Sequence, residues 1–267
     1  MKPKVAILII THNAARYIAL TLQSCMEQTY TNCAMYILDN ASTDETVKIV
    51  RDICDSNAQI FTSEINLGPY AGLNYLLDRI NGEEYIAIQD HDDLWVPSKI
   101  EQQVNYLESN NDYSACGTQV YYYHESKEVL YLRNNFAING YVDHTSLMFR
   151  NTGYRYDVSR ALPDEHFQAK VLRQGGRISC LPLGLTVHRI RHDQQNLSSK
   201  RNHLNFRGAW EHFWYTKGKD LSGTFAIIIS ALLPDWLKWW SRRKYSYKGS
   251  QCLSRSDFEQ QQNMRIQ

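Results

Sequence analysis

Four short strand-like runs, separated by segments with helical character, organise the first 95 residues of the chain. They occupy residues 5–10, 35–38, 59–62 and 85–88, and the first run is entirely aliphatic. Aliphatic and β-branched runs without polar alternation are typical of strands buried on both faces of a parallel sheet. Because parallel strands need crossover connections, this alternation predicts a doubly wound α/β sheet over residues 1–95.

Three carboxylates follow the fourth run within four positions. Asp90, Asp92 and Asp93, with His91 among them, stand where a strand ends, and this edge of a parallel sheet is the one that binds ligands. Anions this close repel one another unless a proton or a cation relieves the repulsion. A hard divalent ion is the natural partner, since Mg²⁺ keeps positions open for substrate phosphates. The alternative is an acidic turn that caps a helix starting near Pro97.

Composition bounds the remaining possibilities. The 267 residues fit one large α/β domain or a domain with a modest extension, and a net charge of +1 gives no electrostatic case for nucleic-acid binding. Six scattered cysteines include no C-x-x-C pair and are expected to be reduced thiols of a cytosolic protein. The chain passes from Lys4 directly into a strand, so no signal peptide is predicted.

The second half of the chain continues the α/β pattern. A helix is predicted from residue 98 to 109, followed by a strand over 114–123 that pairs with residues 128–133. Another helix is predicted to begin at Pro163 and to end at Gly175. The three consecutive tyrosines at 121–123 are expected to divide between core and surface at strand spacing, with stacking on sugar rings as the alternative.

An apolar, tryptophan-rich stretch over residues 225–240 precedes the basic residues 242–244. It is too short and too interrupted to span a bilayer, which needs roughly 20 apolar residues. Tryptophan beside cations suits a helix lying flat on an anionic membrane, and the alternative is a helix packed on the domain or on a second subunit. The last fifteen or so residues are polar and are predicted to be disordered.

The polar motifs at the ends of these strands resemble one family. Their order and spacing resemble family 2 glycosyltransferases with a GT-A fold, of the kind found in bacterial surface-polysaccharide synthesis. The motifs are Thr11-His12-Asn13, Gln28-Thr29-Tyr30, residues 39–44, Asn66-Leu67-Gly68 with Asn74, and Asp90-His91-Asp92-Asp93-Leu94-Trp95. The resemblance is strong over residues 4–107 and looser over 140–198, and Leu73 departs from it where many relatives carry Arg.

The resemblance implies a Rossmann-like mixed sheet flanked by helices and a division of labour along the chain. Residues 1–110 would bind the nucleotide sugar, residues 111–204 would face the acceptor, and residues 205–267 would form a helical extension with a polar tail. The implied contacts to the nucleotide sugar are Thr11, Asn13, Asp39, Asp44, Asn66, Gly68, Asn74, Asp90, His91 and Arg191.

For Asp39 the chemistry is specific, because a carboxylate can accept the ring N–H of uracil or thymine, although a turn residue is the alternative. Asp44 is equally explained as a helix N-cap. For the departing diphosphate, the resemblance implies Mn²⁺ or Mg²⁺ held by Asp92, with Asp90 as a further ligand or a ribose contact. His192, preferred to His188, would be a third ligand, while a basic surface loop is the alternative for this segment.

The family's base is the second acid of a Glu-Asp pair at the start of a late helix, and here Asp164 follows Pro163. Asp164 is therefore the expected base, with Glu165 as the fallback and a helix-capping role as the alternative. The implied function is inverting sugar transfer from a nucleotide diphosphate sugar, a uridine one foremost, to a saccharide or lipid-linked saccharide. The expected location is the cytoplasm, at the inner membrane if residues 225–244 bind lipid. The rivals are a nucleotidyltransferase and an inactive sugar-binding module.

Overall fold

A computed structural model describes residues 2–54, 58–133, 140–191, 206–215, 225, 228 and 251–266. The strands are β1 Val5–Thr11, β2 Cys33–Asn40, β3 Ala58–Ser63, β4 Tyr85–Asp90, β5 Leu94–Trp95, β6 Ala115–His124, β7 Val129–Arg133, β8 Met148–Arg150, β9 Ile178–Ile190 and β10 Gln251–Ser254. The helices are α1 Ile18–Met26, α2 Thr46–Cys54, α3 Pro69–Leu77, α4 Lys99–Ser109, α5 Pro163–Arg173, α6 Phe206–Tyr215 and α7 Arg255–Gln262. Within these residues, no helix is long and apolar enough to cross a bilayer.

The first four strands form the predicted parallel sheet, in the order β3-β2-β1-β4. Residues 5–9 of β1 are fully buried because helices cover both faces of the sheet. The register places Thr11 beside Asp39, and Ile10 beside Asp90, at the carboxyl edge. The polar residues that end β1, β2 and β4 therefore lie at one edge of the sheet.

Beyond β4 the sheet becomes mixed. β8 runs antiparallel to β4, β6 is antiparallel to β8 and to β7, and the long β9 runs parallel to β6. The pairing of residues 114–123 with 128–133 was predicted, whereas β9 was not. β9 also pairs with the two-residue β5, in a register that sets Leu94 opposite Val187. This pairing brings the end of β9 to the acidic segment that follows β4.

The core lies on both faces of the sheet. One cluster joins β1, β2 and β4 to α1, α2 and α4, and another joins the same strands to α3 and α5. The three tyrosines of β6 divide as strand spacing predicts, with Tyr121 and Tyr123 buried and Tyr122 partly exposed. Tyr122 donates a hydrogen bond of 3.2 Å to Asp143 and its ring meets His188, so a sugar-stacking role has no support here.

The expectation that the last fifteen residues are disordered is wrong. β10 pairs antiparallel with β7, and α7 follows it directly. Phe258 and Ile266 are fully buried and pack in one cluster with Leu94 and Val96, beneath the acidic segment. The polar composition hid these apolar anchors, which are few but sufficient to dock the segment. The predicted boundary at residues 204 and 205 falls outside the described residues and stays a prediction.

A fully buried lysine on α4 supplies a test of the core. Lys99 donates a hydrogen bond of 2.7 Å to Gln103 and lies 4.1 Å from the ring centre of Trp95. Burial lowers its pKa to about 7, so between pH 7 and 8.5 the unfolded chain binds more protons than the folded one. The free energy of unfolding should therefore rise with pH in this window, by about 1.5 kcal/mol from this one group.

Lys99→Met should remove that contribution. The difference in unfolding free energy between this variant and the wild type, measured by urea titration at pH 7.0 and 8.5, should change by about 1.5 kcal/mol. Lys48→Met is the matched control, because the Lys48 side chain is 72% exposed. A pH dependence unchanged in Lys99→Met would show that the buried amine is not neutralised in this range.

Candidate active site

The acidic segment after β4 folds into a tight turn that buries its carboxylates. The Asp93 amide donates to the Asp90 carbonyl at 3.2 Å, and Asp92 and Asp93 are 5% and 0% exposed. Burial, followed by the charges of Asp93 and Asp92, raises the pKa of Asp90 to about 7. The turn therefore concentrates negative charge that a proton or a cation must relieve.

Asp93 anchors this turn to the rest of the fold. Its carboxylate accepts hydrogen bonds from the Thr145 hydroxyl at 2.5 Å, from Nδ1 of His188 at 2.9 Å and from the Arg189 amide at 2.9 Å. Burial opposes protonation of His188, yet the charges of Asp93 and its neighbours raise the pKa of this imidazole to about 9. Since its oxygens serve protein donors, Asp93 orients the turn.

Asp92 faces Arg191, which follows β9. Nε of Arg191 donates to Asp92 at 2.6 Å, and its second terminal nitrogen lies 3.1 Å from Nε2 of His91. Nδ1 of His91 lies 3.1 Å from the Ile10 carbonyl, so hydrogen bonding holds the ring on β1. Burial alone would raise the pKa of Asp92, but the charges of His91 and Arg191 outweigh burial and lower this pKa. Arg191 is thus an ion-pair partner of Asp92 and a direct neighbour of His91.

A divalent ion fits the donor set of this turn in part. Asp90 and Asp92 supply the hard carboxylate oxygens that Mg²⁺ and Mn²⁺ prefer, and one or two such groups suffice when phosphates complete the coordination. Among the described residues no three His, Cys, Asp or Glu side chains are grouped closely enough to hold a metal ion. His192, the predicted third ligand, lies outside the described residues, whereas His188 is bonded to Asp93.

The adjacent strand ends hold buried polar atoms without partners. Asp39 is 4% exposed, and its Oδ2 accepts the amide of Ser42, three residues further along the loop, at 3.1 Å. Its Oδ1 and the Thr11 hydroxyl are buried, and nothing in the described part of the chain bonds to them. Because buried polar atoms are nearly always hydrogen-bonded, this pair points to a ligand that donates there. Asp39 can therefore serve as a turn residue through one oxygen and as a binding residue through the other.

Asn13 and Asp44 tie the loops around these atoms together. Asn13 adopts a positive φ of 47°, and its side-chain oxygen accepts the Thr43 amide at 2.8 Å. Asp44 accepts the amides of Ala15 at 3.1 Å and of Thr46 at 3.0 Å. Burial alone would raise the pKa of Asp44. These hydrogen bonds and the one from the Thr46 hydroxyl outweigh burial and lower this pKa. The capping alternative for Asp44 is therefore the one the structure displays.

Asn66, Gly68 and Asn74 shape the entry into α3. The side-chain oxygen of Asn66 accepts from Asn40 at 3.0 Å and from the Gly68 amide at 2.8 Å, and Gly68 uses a φ of 79° to start the helix. The Asn74 amide clamps the backbone of Tyr156 through two hydrogen bonds of 2.8 Å. Their predicted contacts with a nucleotide sugar stay predictions, and in this structure they position other groups.

Asp164 stands beside the acidic turn, in the first turn of α5. Tyr70 lies in the same electrostatic environment, and burial followed by the charges of Asp164 and Asp90 raises its pKa. The charge of Asp164 also contributes to the raised pKa of Asp90, so the two acids share one electrostatic environment. The N-cap of α5 is Leu162, so Asp164 is not the capping residue. Glu165 follows in the same turn, partly buried.

Sequence reasoning missed the aromatic wall around Asp164. Tyr156 stacks on Phe167 at 4.5 Å between ring centres, and its hydroxyl lies 2.8 Å from Nε2 of His144. Burial lowers the pKa of His144, against the opposing charge of Asp164. His144 and Tyr156 fall in a short 3₁₀ turn and an irregular loop, which carry no periodic signal. Their association with Asp164 depends on tertiary packing.

Arg189 was also missed as a link to the acidic turn. Its side chain is buried, donating to the Asp92 carbonyl at 3.1 Å and to the Ile266 carbonyl at 2.6 Å. The C-terminal segment is therefore tied directly to the backbone of a candidate metal ligand. The apolar residues that precede Arg189 were the available signal in the sequence, but residues 178–187 were not recognised as a strand.

With this geometry in place, comparisons with known proteins become informative. Residues 6–175 match the family model of glycosyl transferase family 2. The Escherichia coli UDP-Glc:alpha-D-GlcNAc-diphosphoundecaprenol beta-1,3-glucosyltransferase WfgD is 32% identical over 107 residues, which are 40% of this chain and 42% of that protein. The chain spans 56%, 42% and 36% of the length of three other curated relatives.

Two solved structures share the fold at low sequence identity. S. aureus TarS 1-349 in complex with UDP-GlcNAc has a TM-score of 0.64 and 16% identity, covering 97% of this chain and 78% of that one. The mannosyltransferase PcManGT from Pyrobaculum calidifontis, in complex with GDP-Man and Mn²⁺, has a TM-score of 0.65 and 17% identity, covering 98% and 85%. The expected GT-A fold is confirmed, and the chain belongs to glycosyl transferase family 2.

Proposed function

We propose that the protein transfers a sugar, with inversion, from a uridine diphosphate sugar to a saccharide carried on a lipid diphosphate. The observation that carries this proposal is the grouping at one sheet edge of two unpartnered buried atoms, on Asp39 and Thr11, with the acidic turn and Asp164. Asp39 and Thr11 offer a place for the nucleobase, the acidic turn for the diphosphate, and Asp164 for the acceptor hydroxyl.

On the donor side, each group of the nucleotide has a chemical counterpart. Asp39 accepts the ring N–H of the pyrimidine, and the Thr11 hydroxyl bonds to a neighbouring base or ribose atom. Asp90 and Asp92 would hold Mn²⁺ or Mg²⁺, which when bound neutralises the charge that develops on the departing diphosphate. Arg191, 2.6 Å from Asp92, would donate to the same phosphates. His188, whose pKa is raised to about 9 beside Asp93, would add a positive charge near them.

On the acceptor side, Asp164 takes the proton of the attacking hydroxyl. The acceptor oxygen forms its bond to the anomeric carbon as the bond from that carbon to the diphosphate oxygen breaks, and the configuration inverts. Tyr70, whose pKa the charge of Asp164 helps to raise, is a neighbour of this carboxylate in the pocket. Tyr156, clamped by Asn74 and packed on Phe167, forms the rigid wall of the acceptor pocket.

We propose a lipid-linked acceptor from the name of a relative and from where such an acceptor is found. The E. coli relative is named for a diphosphoundecaprenol-linked acceptor, which resides in a membrane. A protein acting on such a substrate works at the membrane surface, and we place this one on the cytoplasmic face of the inner membrane. The stretch 225–244, predicted to contact lipid, lies outside the described residues apart from Phe225 and Ile228.

The nucleoside assignment is tested by substituting Asp39. Asp39→Ala should weaken the binding of UDP in the presence of Mn²⁺ by roughly tenfold to a hundredfold, which corresponds to losing a charge-assisted hydrogen bond of about 1.5–3 kcal/mol. Isothermal titration calorimetry with UDP and GDP measures the effect. Asp52→Ala, at an exposed position of α2, is the control. Tighter binding of GDP than of UDP by the wild type would contradict the assignment.

A further inference from the structure

A cluster of exposed aromatic side chains lies on α6. Trp210 and Trp214 are 62% and 55% exposed, and their ring centres are 5.8 Å apart, as expected for residues four positions apart on one helix face. Phe213 lies against both indoles, with ring centres at 6.3 and 6.4 Å. A cluster of exposed aromatic side chains is a candidate surface for contact with another molecule.

Two other residues of α6, Ala209 and Glu211, fix this helix to the catalytic half of the domain. Ala209 is 2% exposed and packs in a cluster with Leu162 and Ala169, on either side of the first turn of α5. The Glu211 carboxylate accepts the Ala161 amide at 3.0 Å, three residues before Asp164. The aromatic face of α6 is therefore directed outward from the same structural unit that carries the proposed base.

The charge of the surrounding sequence identifies the partner. Residues 200–250 contain ten Lys or Arg and three Asp or Glu, a net charge of +7, while the other 216 residues carry 19 and 25, a net charge of −6. An anionic bilayer attracts the first set and repels the second. Indole rings beside such cations are the side chains that settle at the headgroup level of membranes.

We propose that Trp210 and Trp214 insert into an anionic lipid bilayer and orient the acceptor pocket toward it. A second copy of this chain is disfavoured as the occupant, because the sequences that include the two α6 helices would carry like charges of +7 each. The proposal rests on the proposed function in one respect, since it explains how a lipid-linked acceptor reaches Asp164. The proposal assigns the lipid contact to α6, a different part of the chain from the stretch 225–244.

Vesicle sedimentation tests this proposal with the full chain. The probes are vesicles of phosphatidylcholine and phosphatidylglycerol at 70:30, and vesicles of phosphatidylcholine alone. The wild type should bind the anionic vesicles preferentially, and Trp210→Ser with Trp214→Ser should bind them about tenfold more weakly. The control variant, Ile65→Ser with Leu183→Ser, changes two other exposed apolar residues and should bind as the wild type does.

Separate readouts distinguish this proposal from the proposed function. The tryptophan variant should bind UDP with Mn²⁺ as tightly as the wild type, so a loss of vesicle binding alone supports the lipid contact. Vesicle binding unchanged by the tryptophan substitutions, or equal for both lipid compositions, would overturn it. A dimer of the wild type that the substitutions dissociate, seen by light scattering, would assign the surface to a second copy instead. Failure of UDP binding in the wild type would refute the donor assignment and leave the vesicle result standing.

Discussion

Asp92→Asn should reduce turnover by at least about a thousandfold, the equivalent of about 4 kcal/mol of transition-state stabilisation. The substitution keeps the volume of the side chain and removes the charge that would hold a divalent ion against the diphosphate. It also removes the negative charge that pairs with Arg191 at 2.6 Å. Release of nucleoside diphosphate in a coupled assay measures the effect.

The fold must be shown to survive this change. Circular dichroism and thermal unfolding of Asp92→Asn report on the fold, and Glu45→Gln, which neutralises a carboxylate that is 72% exposed, is the matched control for loss of one charge. UDP should bind the wild type much more weakly in EDTA than in Mn²⁺, and this difference should shrink in Asp92→Asn. Equal UDP binding by the wild type with and without EDTA would remove the metal from the account.

Asp164→Asn should lower kcat by roughly a hundredfold to ten-thousandfold, the usual worth of a positioned general base. Donor binding should be unchanged, because we place Asp164 on the acceptor side of the site. The helix itself should tolerate the change, since its N-cap is Leu162 and the substituted residue stands two positions inside. Steady-state kinetics with saturating donor separates the effect on kcat from any effect on KM.

Glu165→Gln is the matched control for Asp164→Asn, because it neutralises the next acid of the same helical turn. It should retain most of the activity. The reverse pattern, an active Asp164→Asn and an inactive Glu165→Gln, would move the base to Glu165. The configuration of the product, read from the anomeric proton by NMR, is a further check: retention would refute direct displacement by a hydroxyl that Asp164 activates.

The parts of the fold and site that sequence predicted are those with a local signal. The aliphatic runs of β1, β2 and β4 define buried parallel strands, and strand topology then brings Thr11, Asp39 and Asp90 to one edge. Asp39 illustrates the limit even here. Its position was predictable, whereas the combination of one oxygen bonded to Ser42 and one without a partner needed coordinates.

The parts that were missed depend on contacts between distant residues. His188 bonds Asp93 across 95 positions of sequence, and Arg189 joins the same turn to Ile266. β9 escaped recognition because its buried positions include Thr186 and Arg189, which break the apolar pattern. The C-terminal segment looked disordered because polar residues surround the few apolar anchors that dock it. Asn74 was assigned to the ligand by resemblance, while both of its amide atoms serve Tyr156.

The most direct measurement is a screen of nucleotide sugars for release of nucleoside diphosphate, with GlcNAc-diphosphoundecaprenol in anionic vesicles as acceptor and Mn²⁺ present. The account predicts release of UDP from at least one uridine diphosphate sugar, dependent on the acceptor and abolished by EDTA, Asp92→Asn and Asp164→Asn. Acceptor-dependent release of GDP alone, or turnover that continues at the same rate in EDTA, would contradict it.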